Sequence, residues 1–498
     1  MARSFIIASA FALIAVPAFP QLFRSYSISP SYAIRNYEAM DQGGGTTLYA
    51  CDRAFGSDSS YVEMFWTAPD QSVTDAVCYK LATPLTFFNS AVQLDDGVLI
   101  GGSSYGLLPM LFKAGNTGAV QWYAGFNNLL NAQDQVVQIV PRGNAYSVYT
   151  YQGGSYTHGI YRIEGESSGT TFTGKEMTAA AYFRVYDAVP ASDPLVHMVS
   201  GTANDDAAPT HLRAMLMLTD TSGAAWMKIY DMGATSVQDL YGIRRLSDGN
   251  YLCSGYFVPS GGSTFTGVLL KVDEAGAVIW CKHYTDISTG LYFDHTIELS
   301  DGSILVAGFN AQYQGILVKV NATGDPIWTK LYGADRLSGF FTSGSNVKLR
   351  GLATLIELDA NGEGCNLSAN TTVTATAYTP MITDIAVSSA PFLPTTVPLT
   401  STTRLAALGW TPDCVWSAID EPSTIEPFTA HPVPASDIVR LGAVGQVAAN
   451  EQVILRDLSG AVHFDGPYAE GIDLRQLAPG PYMVTLPAMH QHIMVMKE

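Results

Sequence analysis

The sequence predicts an all-β protein built from repeats, and two observations carry this prediction. First, the residues Lys271–Trp280 (KVDEAGAVIW) nearly recur at Lys319–Trp328 (KVNATGDPIW), and the two copies start 48 positions apart. In each copy, apolar and polar residues alternate on either side of a turn that contains glycine, which predicts two strands joined by a tight loop. Second, another hairpin precedes each copy, and before the first copy its turn is Asp248-Gly249. Asp-Gly between alternating strands is a strong hairpin signal, because type I′ turns need positive φ twice.

Two hairpins in each repeat make four antiparallel strands, which is the content of one β-propeller blade. The predicted outer strands begin near Leu22, Phe87, Trp122, Phe172, Trp226, Trp280 and Trp328. This count predicts a seven-bladed β-propeller over residues 22–364, with six or eight blades as alternatives. The strand at Leu22 has no complete blade before it, so we expect it to complete the last blade and to remove the exposed edges of the ring.

Tryptophans recur at the start of the predicted outer strands. They are Trp122, Trp226, Trp280 and Trp328. One four-stranded sheet cannot bury both of its faces, whereas a ring of sheets can. We therefore predict that each tryptophan packs against the neighbouring blade.

Charge and terminal composition limit the partners and the destination of the chain. The 498 residues carry a formal charge of −18, which disfavours nucleic acid and anionic membranes as partners. Arg3, the apolar run Phe5–Val16 and the small residue Ala18 predict a signal peptide over residues 1–18. No later apolar run has the ~18 residues that a membrane span needs, so we expect no transmembrane segment in the mature chain.

Six cysteines in an exported chain favour disulfides. The predicted pairs are Cys365 with Cys414 and Cys51 with Cys78. The first pair would close the Thr/Ser-rich β segment 365–414, and the second is expected on neighbouring strands. Cys253 and Cys281 fall two strands apart in one blade, so that bond is not expected. No Cys/His spacing suits zinc, and no cofactor is predicted.

The C-terminal residues predict a second, smaller domain. Residues 417–434 contain several prolines and no Lys or Arg, as is typical of a linker, and we assign the linker to residues 415–430. Short alternating strands then follow, with turns at Ser459-Gly460 and Pro479-Gly480. They predict a small antiparallel β-sandwich over residues 431–498.

This domain resembles the type A sorting domain of type IX secretion cargo. The matching positions are Pro434, Asp457, Gly460, Asp473, Leu474, Gly480, Tyr482 and Lys497. Val433 replaces the asparagine that is usual in that family, and a glutamate follows Lys497. The resemblance implies Sec-dependent export, recognition by the type IX secretion machinery, and a final place at the outer-membrane surface or in the medium of a Gram-negative bacterium.

The repeats carry a second resemblance. Asp273, Gly276 and Trp280 resemble the tryptophan-docking motif of quinoprotein-type propeller repeats. The stretch as a whole resembles the uncharacterised propeller repeats of secreted bacterial surface proteins. Neither resemblance assigns a catalytic residue, a cofactor or a metal ligand.

Two functional hypotheses follow from the sequence, and a structural role in a surface layer is a third. The first is a non-catalytic module that binds an extracellular glycan or protein through loops at one end of the ring, with Tyr151, Tyr156, Tyr161 and Phe257 as candidate aromatics. The alternative is a secreted hydrolase or lyase that acts on a glycan or peptide in the central channel. The acidic and histidine residues available for it are Asp187, Asp193, Asp205, Asp206, His197 and His211.

Overall fold

The computed structural model confirms the all-β class: all the regular secondary structure that it describes is β-strand. The structure describes residues 23–497 apart from 28–32, 44–45, 56–58, 69–72, 82–84, 105–108, 127–133, 153–158, 181, 205–210, 260–263, 287–289, 333–335, 344–345, 352–354, 359–366, 371, 393, 395, 399–401, 406–410, 417–428, 432–437, 443–451, 458–461, 468–471 and 487–490. The predicted signal peptide and most of the predicted linker lie outside the described residues. The chain forms two compact units, one over Gln21–Trp416 and one that includes Ser417–Glu498.

Among its described residues, the first unit contains seven antiparallel sheets in which consecutive strands pair, numbered here in chain order. Strand β1 (Phe23–Ser27) precedes them. Sheet 1 consists of β2 (Ala33–Gly43), β3 (Thr46–Phe55), β4 (Ser59–Thr67) and β5 (Val73–Leu81). Sheet 2 consists of β6 (Leu85–Leu94), β7 (Gly97–Ser104), β8 (Pro109–Gly115) and β9 (Val120–Phe126). Sheet 3 consists of β10 (Asp134–Arg142), β11 (Ala145–Gln152), β12 (Gly159–Glu166) and β13 (Phe172–Ala179).

Four further sheets follow the same plan. Sheet 4 consists of β14 (Phe183–Pro190), β15 (His197–Asn204), β16 (Leu212–Asp220) and β17 (Gly223–Asp231). Sheet 5 consists of β18 (Ala234–Arg245), β19 (Tyr251–Pro259), β20 (Thr266–Val272) and β21 (Val278–Asp286). Sheet 6 consists of β22 (Leu291–Glu298), β23 (Ile304–Asn310), β24 (Gly315–Val320) and β25 (Pro326–Tyr332). Sheet 7 consists of β26 (Leu337–Ser343), β27 (Asn346–Gly351) and β28 (Leu355–Leu358).

The first strands of the seven sheets contact one another in chain order. Strand β2 contacts β6, β6 contacts β10, and the series continues through β14, β18 and β22 to β26. Strand β26 in turn contacts β2. The apolar clusters follow the same order, since each combines side chains from adjacent sheets. The core of this unit therefore lies between the sheets.

A second set of strands pairs with these sheets in the reverse of their chain order. We call residues 367–416, which contain these strands, the belt. Its strands are β29 (Leu367–Asn370), β30 (Val373–Tyr378), β31 (Met381–Ile385), β32 (Val387–Phe392), β33 (Thr396–Pro398), β34 (Thr402–Leu405) and β35 (Thr411–Trp416). Strand β29 pairs with β25 of sheet 6, and the next five pair with the last strands of sheets 5, 4, 3, 2 and 1 in that order. Finally β35 pairs with β1, which also contacts β28 of sheet 7.

The belt changes the expected role of residues 365–414. The sequence predicts a separate β segment there, whereas its strands supply the fifth strand of six different sheets. Each contributes only three to six residues to its sheet, too few to be stable without a partner. The segment is thus an integral part of the first unit.

Tryptophans lie against glycines in the outer turn of the next sheet. A Cβ atom added to Gly324, in the β24–β25 turn, would lie 2.9 Å from Cη2 of Trp280 in β21. Tyr284 donates a hydrogen bond to the carbonyl oxygen of the same glycine at 2.5 Å. The glycine has φ +80°, a conformation that favours residues without a Cβ atom. Because Gly324 has no side chain, it can adopt the turn conformation and leave room for the Trp280 ring.

The same arrangement recurs between other sheets. Trp226 lies against Gly276, and Trp122 lies against Gly169 while its Nε1 donates to the Ser167 carbonyl oxygen at 2.7 Å. Trp66 of β4 lies against Gly118 of sheet 2 in the same way, although the repeat pattern did not single it out. Trp328 packs against the apolar cluster that includes sheet 7.

The aspartate of the Asp-Gly turn has a second role inside its own sheet. A buried lysine on the third strand reaches back to it in three sheets. The pairs are Lys113–Asp96 at 2.6 Å, Lys271–Asp248 at 2.6 Å and Lys319–Asp301 at 3.3 Å. A buried ammonium group needs such a partner, so the turn residue also satisfies a charge in the sheet.

The strand assignments correct two expectations. Phe87 lies in β6, the first strand of sheet 2, whereas the outer strand of sheet 1 is β5. Cys51 in β3 and Cys78 in β5 are not on neighbouring strands, because both lie opposite Glu63 of the intervening β4. Two strand spacings of ~4.8 Å exceed the ~7 Å limit for a disulfide, so the sheet geometry opposes this bond.

The other cysteines stand as follows. Cys253 and Cys281 are free and buried, on two strands separated by β20, as the sequence predicts. Cys365 lies outside the described residues, so its bond with Cys414 stays a prediction.

The C-terminal unit contains two antiparallel sheets. Their strands are β36 (Thr429–His431), β37 (Ile438–Gly442), β38 (Gln452–Asp457), β39 (Val462–Pro467), β40 (Ile472–Asp473), β41 (Gly480–Leu486) and β42 (Gln491–Lys497). One sheet has the order β36-β37-β40 and the other has the order β39-β38-β41-β42. Leu474, Val453 and Val484 are buried within this unit.

Candidate functional site

The first strands of all seven sheets line one cavity of about 700 Å³, called here the first-strand cavity. Its charged and aromatic lining residues are Glu38, Tyr186, Asp187, Arg244, Arg245, His295, Glu298 and Phe340. A concave site with a few polar groups is the usual setting for ligand binding. The cavity is therefore a candidate binding site.

Each first strand carries a register shift, which leaves two residues unpaired in β2 and one residue unpaired in each of the other six. The register shifts lie between Ile34/Tyr37, Phe88/Ser90, Val136/Gln138, Val185/Asp187, Leu240/Gly242, Phe293/His295 and Leu337/Gly339. A bulge redirects the side chain of the extra residue. Tyr186, Tyr241 and Asp294 are extra residues of this kind, and all three belong to the site.

The sequence contains a signal for these bulges that the strand pattern alone did not reveal. Gly201, Gly255 and Gly308 lie on second strands opposite the bulges. A Cβ atom at Gly255 would lie 1.8 Å from the carbonyl oxygen of Asp239 on the first strand, and the other two positions are equally close. Only glycine allows the two backbones to approach so closely.

Asp187 is the buried carboxyl group in the cavity wall. Its Oδ1 accepts a hydrogen bond from the amide of Ala188 at 2.8 Å, and its Oδ2 accepts one from the amide of Ile243 at 3.0 Å. Burial raises the pKa of Asp187 to about 6, although these hydrogen bonds and the charge of Arg244 oppose the rise. Because Ile243 lies in β18, the carboxyl group joins sheet 4 to sheet 5.

A chain of aromatic rings leads from the cavity to the surface; we call it the aromatic tract. It consists of Tyr186, Tyr241, Tyr256, Phe265, Tyr292, Phe309 and Tyr313. The rings of Tyr186 and Tyr241 are 4.7 Å apart, those of Tyr241 and Tyr256 5.7 Å, and those of Tyr256 and Tyr292 4.6 Å. Sheets 4, 5 and 6 all contribute to it.

A buried carboxyl group supports the inner part of the tract. Asp239 accepts a hydrogen bond from the hydroxyl group of Tyr186 at 3.3 Å, and Tyr256 also bonds to it. Burial raises the pKa of Asp239 above its usual value, and these tyrosine hydrogen bonds oppose the rise. Fixed in this way, the tyrosine rings have defined orientations.

An ion pair supports the outer part. Arg336 bonds to the buried carboxylate of Asp294 at 3.2 Å, and its guanidinium carbon lies 4.2 Å from the centre of the Phe309 ring. The arginine therefore makes both an ion pair and a cation–π contact. Together these contacts fix the ring next to the exposed end of the tract.

No protein-family model matches the chain, and no curated protein is significantly similar to it. Within the part of the chain that the structure describes, no helix is long and apolar enough to cross a membrane. Function must therefore be argued from the site itself.

Of the predicted loop aromatics, the two whose side chains the structure describes are buried. Tyr161 is buried and its hydroxyl group lies 3.4 Å from Glu176, while Phe257 is buried against the ring of His283. The side chains of Tyr151 and Tyr156 lie outside the described residues. Sequence reasoning thus missed the tract, whose members become neighbours only through sheet register and bulges.

Of the candidate acidic and histidine residues, Asp187, Asp193 and His197 make structural hydrogen bonds. Asp193 accepts from the amide of Leu195 at 2.8 Å. His197 is buried, with Nδ1 2.9 Å from the Tyr149 hydroxyl group and Nε2 3.1 Å from the Pro194 carbonyl oxygen. His211 is exposed, and Asp205 and Asp206 lie outside the described residues. Only Asp187 lines the cavity.

The sorting-domain positions occupy strands and turns of the C-terminal unit. Asp457 ends β38 and lies 2.8 Å from Nε2 of His463, while Asp473 forms an ion pair with Arg475 at 2.7 Å. The hydroxyl group of Tyr482 donates to the Ala478 carbonyl oxygen at 2.8 Å. Four further positions stand as follows: Leu474 is buried, Gly480 begins β41, Lys497 ends β42, and Pro434 and Gly460 lie outside the described residues.

Proposed function

We propose that this chain is an exported seven-bladed β-propeller that binds an extracellular ligand and does not catalyse a reaction. Seven meandering sheets, the cyclic contacts of their first strands and the shared cavity support the propeller architecture. The strand β1, held between β28 and β35, is then the closing strand of the seventh blade.

The aromatic tract is the observation that carries the binding function. Aromatic side chains supply large contact areas with little loss of conformational freedom, and half-buried tyrosines also offer hydroxyl groups. Tyr241, Tyr256, Phe265 and Tyr292 are partly exposed, and Tyr313 is exposed. A row of rings from a cavity to the surface suits an extended ligand.

Binding is tested with the mature protein on a glycan array and on a panel of extracellular proteins. We expect at least one ligand, and we expect Tyr241→Ala to weaken its binding about tenfold, because the ring connects Tyr186 at the cavity to Tyr256 and the rest of the tract. Ile279→Ala is the control, since this exposed side chain lies on β21 and belongs to no tract contact. Failure to find any ligand, or equal effects of the two variants, would contradict the proposal.

A hydrolase or lyase acting in the cavity is the second candidate. The raised pKa of Asp187 favours it, since a carboxyl group with a pKa near neutrality suits general acid catalysis. However, both of its oxygens already accept backbone hydrogen bonds, and the carboxylate of Glu298 is bonded to the amide and hydroxyl groups of Ser247. These contacts favour structural roles for both carboxylates, so binding is the preferred function.

We further propose that the C-terminal unit directs the chain through the type IX secretion machinery. The resemblance in sequence, the compact unit and the alternating strands that begin at Gly480 support this role. Delivery by that route would place the first unit at the cell surface or in the medium without a membrane-spanning segment.

Export is tested with a fluorescent reporter in a bacterium that has a type IX system. A reporter carrying residues 1–18 and 415–498 is expected at the cell surface or in the medium. The matched reporter with residues 1–18 alone is expected to stay in the periplasm. The sorting role is rejected when both reporters are found in the same compartment.

A further inference from the structure

Tyr313, at the outer end of the aromatic tract, is held in a conformation that tyrosine rarely adopts. Its φ is +59°, and it is the only positive-φ residue other than glycine among the described residues. Its side chain is 68% exposed. A residue with a Cβ atom rarely adopts a left-handed conformation, which persists only where the surroundings enforce it. Such an outlier on an exposed ring points to a function.

The turn that carries this ring is fixed by hydrogen bonds. The amide of Tyr313 donates to the carbonyl oxygen of Asn310 at 2.9 Å, and the amide of Asn310 donates to that of Gln314 at 2.9 Å. The side-chain oxygen of Asn310 accepts from the amides of Gln312 and Gln314 at 3.0 and 2.9 Å. The amide of Ala311 donates to the Gly290 carbonyl oxygen at 3.0 Å. The tyrosine is therefore preorganised by its own turn.

The ring continues a parallel stack. Tyr292 and Phe309 are 4.5 Å apart at an angle of 8°, and Phe309 and Tyr313 are 5.8 Å apart at 7°. The rings of Phe309 and Tyr292 therefore orient the exposed ring of Tyr313. Gln312, beside it in sequence, is exposed, and Gln314 is partly exposed with its Oε1 accepting a hydrogen bond from Nδ2 of Asn310 at 2.9 Å.

We infer that Tyr313 is a stacking platform for one sugar ring of a neutral polysaccharide. The inference rests on the proposed binding function and names its ligand. The C–H groups on one face of a pyranose ring are weakly positive and pack on the negative face of an aromatic ring. The amide groups of Gln312 and Gln314 are suited to the hydroxyl groups at the edge of the sugar.

Charge and apolar area favour this ligand over the alternatives. Arg336 and Asp294 neutralise each other, so they offer no unpaired charge to an ionic ligand. The net charge of −18 repels polyanions. A protein partner would need a broad apolar patch, whereas Tyr313 is the only strongly exposed large apolar side chain at this turn among the described residues.

The test measures binding of the full mature chain and two variants to amylose, a soluble β-glucan and mannan, with alginate as the anionic comparison. Tyr313→Asn removes the ring but tolerates positive φ, so the turn is expected to keep its conformation. Tyr313→Phe keeps the ring. We expect binding to at least one neutral polysaccharide, about tenfold weaker binding for Tyr313→Asn, and binding within about twofold of wild type for Tyr313→Phe.

The thermal unfolding midpoint checks that both variants keep the fold. The inference is overturned when neutral polysaccharide binding is unchanged in Tyr313→Asn, when only alginate binds, or when no polysaccharide binds at all. If Tyr313→Asn binds as wild type does, or if only alginate binds, the proposed binding function still stands. If no polysaccharide binds, the panel of extracellular proteins decides whether the chain binds a ligand. The failure of this inference is thereby separated from the failure of the binding function.

Discussion

Replacing Gly276 with alanine will destabilise the first unit far more than replacing Gly249 with alanine. Both glycines lie in turns of sheet 5 with similar φ angles, +76° and +84°. A Cβ atom at Gly276 would lie 2.8 Å from the Tyr230 hydroxyl oxygen and 2.9 Å from Cη2 of Trp226, whereas nothing lies within 4 Å at Gly249. The backbone conformation is thus matched, and only the docking contact differs.

The expected magnitudes follow from these two effects. The left-handed backbone makes Gly249→Ala unfavourable by about 1–2 kcal/mol. Gly276→Ala adds the overpacking of a docked ring, about 1–3 kcal/mol more. The measurement is the thermal unfolding midpoint of both variants at one scan rate, because large chains often unfold irreversibly and their midpoint then depends on the scan rate. Equal shifts would show that the tryptophan contact contributes nothing.

Acid will destabilise the protein through His197 as the pH falls from about 6.5 towards 3. Burial lowers the pKa of His197 to about 3, and the charges of Arg162 and Arg142 act in the same direction. An unfolded histidine has a pKa of about 6.5. As the pH falls below that value, His197 binds a proton in the unfolded state but stays neutral in the folded state. Stability is therefore full above pH ~6.5 and is lost progressively down to pH ~3, by up to about 5 kcal/mol.

The variant His197→Gln removes this proton uptake while its amide can still reach Tyr149 and the Pro194 carbonyl oxygen. We expect its thermal unfolding midpoint, measured at one scan rate, to depend less on pH between 4 and 6.5 than that of wild type. The exposed His211→Gln is the matched control and should follow wild type. Parallel curves for wild type and His197→Gln would refute the assignment.

Two other buried groups titrate in the same range and set the background of that experiment. Burial lowers the pKa of His283 to about 4, so it adds to the loss of stability in acid. Asp187 acts in the opposite direction, because its raised pKa lets the folded state bind a proton before the unfolded state does. The comparison between variants isolates the share of His197 from both.

The local features of the fold could be predicted from the sequence because they depend on near neighbours. The turn at Asp248-Gly249 joins β18 and β19, and Gly276 and Gly324 have positive φ in outer turns, as the repeated letters indicate. Trp280 lies against the next sheet for the same reason: its position within the repeat fixes its face. These assignments need only alternation and turn chemistry.

The partners of distant strands could not be predicted in the same way. The pattern of Thr371–Thr379 indicates a strand, but nothing in it specifies pairing with β21, about 90 positions earlier. Cys51 and Cys78 were predicted on neighbouring strands, but β4 lies between their strands. The alternating pattern does not show how many strands separate two positions. Tyr186 and Tyr241 become neighbours through bulges, which the alternation of apolar and polar residues does not reveal.

The backward course of the belt sets the order in which the chain can finish folding. Sheet 6 can receive its last strand soon after it is made, whereas sheet 1 must wait until Thr402–Leu405 has emerged. The partner of β1 comes last of all, at Thr411–Trp416. Contacts that span almost the whole length of a unit slow its assembly. A nascent chain therefore holds open sheet edges until these two strands meet, and it is most prone to misfolding and aggregation before that point.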